Sequence, residues 1–267
     1  MRERIPVVVQ GRRGRYDRRS PAVRALWTGA ELAVTLGVVL LLFVAHQLWW
    51  TNRVAQGAAR DEVGQLERQW RDGAAAGPVR RPPAAGTGTS AARPTAPGTA
   101  PPTTPPRGPD TGVAAPPRDL AYAVLRIPRL GLTAPVAEGV DRTAVLNRGY
   151  VGHYPGTAQP GGTGNTALAA HRNTHGEPFR HLDRLRPGDT VVVDTARLRA
   201  TYVVRATLPE TTPGDTGVLA PVPRSAVHPG HGFTAPGAYL TLTTCTPEYT
   251  STYRLVVWAV LRTATPR

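Results

Sequence analysis

Residues 73–118 hold twelve prolines in 46 positions, among Ala, Thr, Gly and scattered Arg. Such a stretch cannot bury a core and reads as an extended, disordered tether. It cuts the 267-residue chain in two, so one compact domain over the whole length is excluded. At ~3 Å per residue in polyproline-like segments it reaches ~100 Å or more, as a stalk would. The folded part is then residues 119–267, ample for one domain with a real core.

Before the tether, residues 30–50 read AELAVTLGVVLLLFVAHQLWW, and residues 32–45 carry no charge. About 20 helical residues span a ~30 Å hydrocarbon core. Trp27 on one side and Trp49-Trp50 on the other suit the two interfaces. Gln47, Leu48 and the tryptophans follow the run with no A-x-A cleavage site, so it reads as an uncleaved anchor and not a signal peptide. Residues 1–29 are then an Arg-rich tail, held in the cytoplasm, and everything beyond the span is extracellular. The polar stretch 51–72, with Val54, Val63, Leu66 and Trp70 loosely spaced, reads as a short juxtamembrane helix.

The formal charge of +14 is all arginine, with no lysine in the chain. Eight Arg stand against Glu3 and Asp17 in residues 1–28, whereas residues 119–267 carry fifteen Arg against ten acids. A nucleic-acid surface needs clustered cations, usually with aromatic platforms. Here the dense cluster abuts the apolar run, so a nucleic-acid partner is excluded and a membrane is expected.

Residues 119–267 show many short apolar runs cut by Pro and Gly, which predicts an all-β closed barrel with one or two short helices. Residues 149–165 read as a long turn-rich connection, 166–170 as a small-residue strand, 177–185 as one or two helical turns, and 210–237 as irregular. Within 239–262, YLTLTTCTPEYTSTYRLVVWAVLR, two strands flank a polar loop that holds Thr246-Pro247. Tyr239, Thr241, Thr243 and Cys245 share one face, and Leu240 and Leu242 the other. If the strands pair antiparallel, Cys245 ends one and Arg254 begins the next, at the same end of the sheet.

Cys245 is the only cysteine, so no internal disulfide forms; it is either an inert buried residue or a free reactive thiol. A thiolate nucleophile needs a base, and His171, ending an apolar strand before a polar loop, is the best placed of six histidines outside the span. Arg254, always charged, can stabilise a carbonyl oxygen as negative charge develops. His171 and His175 stand at i, i+4, but Asn173 and Gly176 argue against a helix and no H-E-x-x-H is present. Nor is there a G-x-S-x-G, a P-loop or a Rossmann glycine pattern, so neither metal nor cofactor is expected.

LTLTTC, followed nine residues later by Arg254 in YRLVVWA, resembles the signature of sortases, the cysteine transpeptidases of Gram-positive cell surfaces. GHYPGTAQPGGTGNTALAAHRNTHGEPFRHLDRLRPGD is similar to the segment that carries that family's histidine. The resemblance covers nearly all of 119–267 and is nearest class E, the housekeeping type of actinobacteria. It implies an eight-stranded sortase barrel with Cys245 as nucleophile, His171 as acid/base and Arg254 as oxyanion or substrate stabiliser. Thr244 and Tyr154 become substrate-binding candidates, Tyr154 for a preference for Ala over Pro in the motif. By the resemblance, the protein cuts a C-terminal sorting signal of the LAxTG or LPxTG kind between Thr and Gly. It forms a thioester and joins the secreted protein to an amine of a peptidoglycan precursor. A pilin-polymerising or mainly hydrolytic sortase, and a non-catalytic wall-binding barrel, are the competing readings. The sequence departs from the family's pattern at Ala170, usually glycine, and at NTH, often T-T-Y.

Overall fold

The computed structural model describes residues 21–75 and 116–267; the expected tail over 1–20 and the tether over 76–115 lie outside the described residues. One helix, α1 (Pro21–Ala75), runs without a break through the apolar stretch and the polar stretch that follows. Pro21 sits where a missing N–H costs nothing, and the next proline in the sequence is Pro78, so nothing between them interrupts the hydrogen-bond ladder. The helix therefore begins nine residues before the expected apolar span, and the polar stretch is its continuation instead of a separate short helix.

The boundary between two compact units falls within α1, after Leu48. In the first unit Leu32, Val34, Leu36 and the run Val38–Val44 expose their side chains. This is the one helix among the described residues long and apolar enough to cross a membrane.

The second unit is a closed barrel of eight strands preceded by the rest of α1. The strands are β1 (Ala121–Ile127), β2 (Leu132–Glu138), β3 (Val151–His153), β4 (Gly164–Ala169), β5 (Thr190–Thr195), β6 (Leu198–Thr211), β7 (Ala238–Thr246) and β8 (Tyr253–Pro266). Around the barrel they run β1-β2-β3-β4-β7-β8-β6-β5, closing on β1. Two pairs are parallel, β2 with β3 and β4 with β7. The all-β barrel expected from the breaker pattern is what forms. Its helical pieces are four short 3-10 turns among the described residues, at Pro128–Leu130, Leu146–Arg148, Leu182–Arg184 and Thr216–Leu219.

The stretch 149–165 is not wholly a connection, because β3 lies inside it. Three residues with a central glycine are too short a run to signal a strand. They are extended because β2 and β4 pair with them on either side.

The barrel interior is filled by Leu125, Ile127, Leu168, Tyr202, Leu240, Leu242, Leu255 and Val257, all essentially without solvent contact. The predicted alternation in β7 holds, with Leu240 and Leu242 inward. On the outer face Trp258 packs with Leu208, Val218 and Val256, beneath the irregular 212–237 connection. Its indole Nε1 donates to the Val218 carbonyl at 3.4 Å. A fully buried tryptophan with a satisfied N–H is a large share of that layer, so Trp258→Ala is expected to cost about 3–5 kcal/mol. Urea denaturation followed by circular dichroism measures it; a loss below about 1 kcal/mol would mean that the connection does not pack on the barrel.

Past Trp49, α1 lies along the outside of the barrel. Ala55, Ala59, Val63 and Leu66 are buried, at helical spacing, while Val54 is exposed. The seam is thus one residue out of phase with the expected Val54. Small alanines take the closest approach, and Val63 and Leu66 pack on Val124 of β1. Polar ties flank the seam: Glu62 accepts from the Tyr150 hydroxyl at 3.0 Å, and Glu67 pairs with Arg126.

Candidate active site

β7 and β8 pair antiparallel with Cys245 directly opposite Arg254. Directly opposed residues share a face, with Cβ atoms about 4.5–5.5 Å apart. The expectation that Cys245 and Arg254 sit at the same end of the sheet is met by the register itself. Cys245 is a free thiol and half-buried. Arg254 Nη1 donates to the carbonyls of Ser251 and Tyr253, both at 2.9 Å. Its own turn therefore holds the guanidinium.

The parallel pair β4–β7 brings in the histidine. Every partner on β7 lies 74 residues beyond its partner on β4, from Gly164 with Ala238 to Ala169 with Thr243. His171 and Cys245 have that same separation, each two residues past the last pair. The ladder continues as Ala170 N donates to Thr243 O at 3.3 Å, and Thr244 Oγ1 donates to Ala170 O at 2.8 Å. Thr244 is buried, so its hydroxyl ties β7 to the residue before His171. Ala170 is buried in the barrel core, where its methyl is accommodated in place of the usual glycine.

Beyond His171 the chain turns sharply, closed by Phe179 N donating to His171 O at 3.1 Å and Glu177 N to Thr174 O at 3.1 Å. The segment is a loop, so His171 and His175 are not on a zinc-type helix. Their rings instead stack, with centroids 5.2 Å apart and planes at 30°. His171 Nε2 donates to Asn147 Oδ1 at 2.9 Å. Because that oxygen only accepts, Nε2 holds the ring proton and Nδ1 is the basic atom of the neutral imidazole. Burial above all, then His175 and Arg142, depress the His171 pKa to about 4. The ring is therefore neutral at physiological pH.

Arg172 is the residue that sequence reasoning passed over. Its buried guanidinium donates from Nη1 to Thr246 Oγ1 at 2.9 Å and to the Cys245 carbonyl at 3.4 Å. Its Nη2 lies 3.4 Å from Asp183 Oδ1. It thus fastens the histidine loop to the end of β7 that carries the thiol. Its place beside His171 in the A-H-R motif was the available signal. Asn147 gave none, lying in a turn far along the chain. Tyr154, half-buried, sets its hydroxyl 3.3 Å from Thr243 Oγ1 on the thiol's side of β7. A cleft of about 290 Å³ lies where α1 meets the loop after His171, lined by Gln56, Arg60, Gly149, Gly176, Glu177 and His181 and without Cys245.

A family model described as the sortase domain matches residues 125–262. Sortase SrtE1 of Streptomyces coelicolor is 38% identical over 261 residues, covering 96% of this chain and 62% of that relative. The chain thus spans less than two thirds of SrtE1's length. Sortase SrtE2 of the same organism is 31% identical over 256 residues, 94% of this chain and 87% of the relative. Among solved structures, Sortase E1 from Streptomyces coelicolor with a tripeptide in the active site superposes with a TM-score of 0.53 and 47% identity, over 56% of this chain and 92% of that one. The SrtF sortase from Corynebacterium diphtheriae gives a TM-score of 0.51 at 26% identity, over 57% of this chain and 90% of that one. An eight-stranded barrel with a thiol and a guanidinium in register is the architecture of a cysteine transpeptidase family. The chain belongs to the sortase family, and SrtE1, SrtE2 and Sortase E1 carry the class E name that the sequence motifs resemble.

The depressed pKa has a measurable sign. A histidine whose folded pKa lies below its unfolded value of ~6.5 binds fewer protons folded than unfolded, so it erodes stability as pH falls from about 6.5 toward 4. NMR titration of the His171 ring is expected to give a midpoint near 4. Arg142→Gln should move it upward, and a midpoint at or above 6.5 would refute the burial.

Proposed function

We propose that this chain is a membrane-anchored cysteine transpeptidase acting on C-terminal sorting signals. The observation that carries the reading is the double register: Cys245 opposite Arg254 across β7–β8, and His171 and Cys245 each two residues past the last β4–β7 pair, at the ladder's own 74-residue offset. Cys245 Sγ attacks the carbonyl carbon between Thr and Gly of an LAxTG- or LPxTG-like motif. Neutral His171 accepts the thiol proton and returns it to the departing glycine amine as the C–N bond breaks. Arg254 steadies the carbonyl oxygen while it carries negative charge. An amine of a peptidoglycan precursor then attacks the thioester, forming a new amide and freeing the thiol. Tyr154, beside Thr243, borders the peptide, and Thr244 contributes by holding Ala170. The tripeptide described in the active site of Streptomyces coelicolor Sortase E1 supports a peptide ligand of this kind.

The exposed apolar side chains of the first unit support insertion in a membrane, with the Arg-rich tail on the cytoplasmic side and the barrel outside. Residues 73–118 would link the end of α1 to the barrel, and 119–267 would form the catalytic domain.

Mass spectrometry of the full chain in detergent, incubated with LAxTG and LPxTG peptides with and without a glycine-type amine, tests the proposal. A thioester adduct on Cys245, absent in Cys245→Ala, and a ligated product with amine are expected. Arg254→Ala should lower kcat/KM about 10²–10³-fold. No adduct with either peptide, together with iodoacetamide labelling no faster than a model thiol, would favour the non-catalytic wall-binding barrel.

A further inference from the structure

His171 is held by two neighbours, and α1 rests on both. Asn147, which accepts from His171 Nε2, lies two residues before Gly149; His175, which stacks on the ring, directly precedes Gly176. At Gly149 a Cβ would sit 3.0 Å from the Ala55 carbonyl oxygen of α1 and 3.2 Å from His175 O, and its φ of +78° suits glycine. At Gly176, φ +85°, a Cβ would sit 3.4 Å from Gln56 N and 3.5 Å from the Ala55 methyl. The helix backbone therefore meets both supports of the histidine through glycines that permit close approach.

Hydrogen bonds fix the contact. Asn52 Oδ1 accepts from Gly176 N at 3.2 Å, and Asn52 Nδ2 donates to Glu177 Oε1 at 2.7 Å. Gln56 Nε2 donates to Gly176 O at 3.2 Å. Both amide side chains thus spend themselves on the histidine loop, 120 or more residues away in sequence. Magnitudes divide the labour. Burying the apolar side chains of Val63 and Leu66 outweighs what a typical hydrogen bond contributes net. The apolar seam holds the helix on the barrel, and Asn52 and Gln56 set its register on the loop.

We infer that the α1 segment carrying Asn52 and Gln56 is a positioning element for His171, fixing the ring through the His175–Glu177 loop and the Asn147–Gly149 turn. Asn52 and Gln56 touch neither the thiol nor a bound peptide on this account. They act by holding the imidazole at one distance and tilt. The inference rests on the proposed role of His171 in proton transfer, where a small misplacement costs rate and leaves peptide binding intact.

The test uses the full chain in detergent, comparing wild type, Asn52→Ala/Gln56→Ala and Glu67→Gln. The last breaks a tie of the same helix to Arg126, away from the loop. Hydrogen exchange over residues 171–178 is read beside kcat, KM and the pH profile for cleavage of a sorting-signal peptide. The double variant is expected to lose about tenfold in kcat with KM within about twofold, to shift the pH profile, and to exchange faster at 171–178. Glu67→Gln should leave all four readouts near wild type. Unchanged exchange in the double variant, or a kcat loss no larger than that of Glu67→Gln, overturns the inference. Faster exchange where wild type itself cleaves neither peptide would sustain the clamp and sink the proposed activity instead.

Discussion

The 74-residue offset of the parallel β4–β7 ladder is the constraint on which the site depends. Parallel neighbours keep one separation along their length, so two residues far apart in sequence are delivered level with each other wherever the ladder is followed to its end. Antiparallel β7–β8 pairing supplies the third member by a different rule, as residues on either side of a turn meet face to face. The three side chains come from the ends of adjacent strands, where the backbone is still fixed by the barrel. Arg172, bridging from the histidine loop to the Cys245 carbonyl and Thr246, locks the two ends together beyond the last ladder pair.

Much of this was legible in the sequence. Alternation in 239–245 separated the faces correctly, and the breaker pattern in 119–267 announced an all-β barrel, though β6 and β8 run to 14 residues each. Placing Cys245 and Arg254 at one end of the sheet needed only that the two strands pair antiparallel, and they do. What physics could not supply was the proximity of His171, because parallel pairing between strands 74 residues apart leaves no local trace. The family resemblance bridged that gap, and the β4–β7 register is consistent with it, since His171 and Cys245 share the ladder's offset two residues past its last pair.

Other features were illegible for reasons that can be named. β3 is three residues with a glycine at its centre, so only its neighbours reveal it. The helix seam was assigned a residue early because Val54 outweighs Ala55 in any hydrophobicity count. On the barrel the small side chain wins, since the seat is made of glycines. Asn147 shows no motif by itself, and Arg172 only its place beside His171; their contacts exist only once the loops are folded.

A closed barrel has a consequence for recognition. With β5 returning to β1, every described strand has a neighbour on both sides over part of its length. Unpaired edges remain only as partial stretches, such as residues 204–211 of β6, which lie beyond the last pair with β5. Strand addition, a common way for a sheet protein to grip an arbitrary backbone, therefore finds short edges and not a whole strand. Discrimination falls to side chains lining a short path, which favours reading a few residues of a motif over gripping a long segment of any sequence.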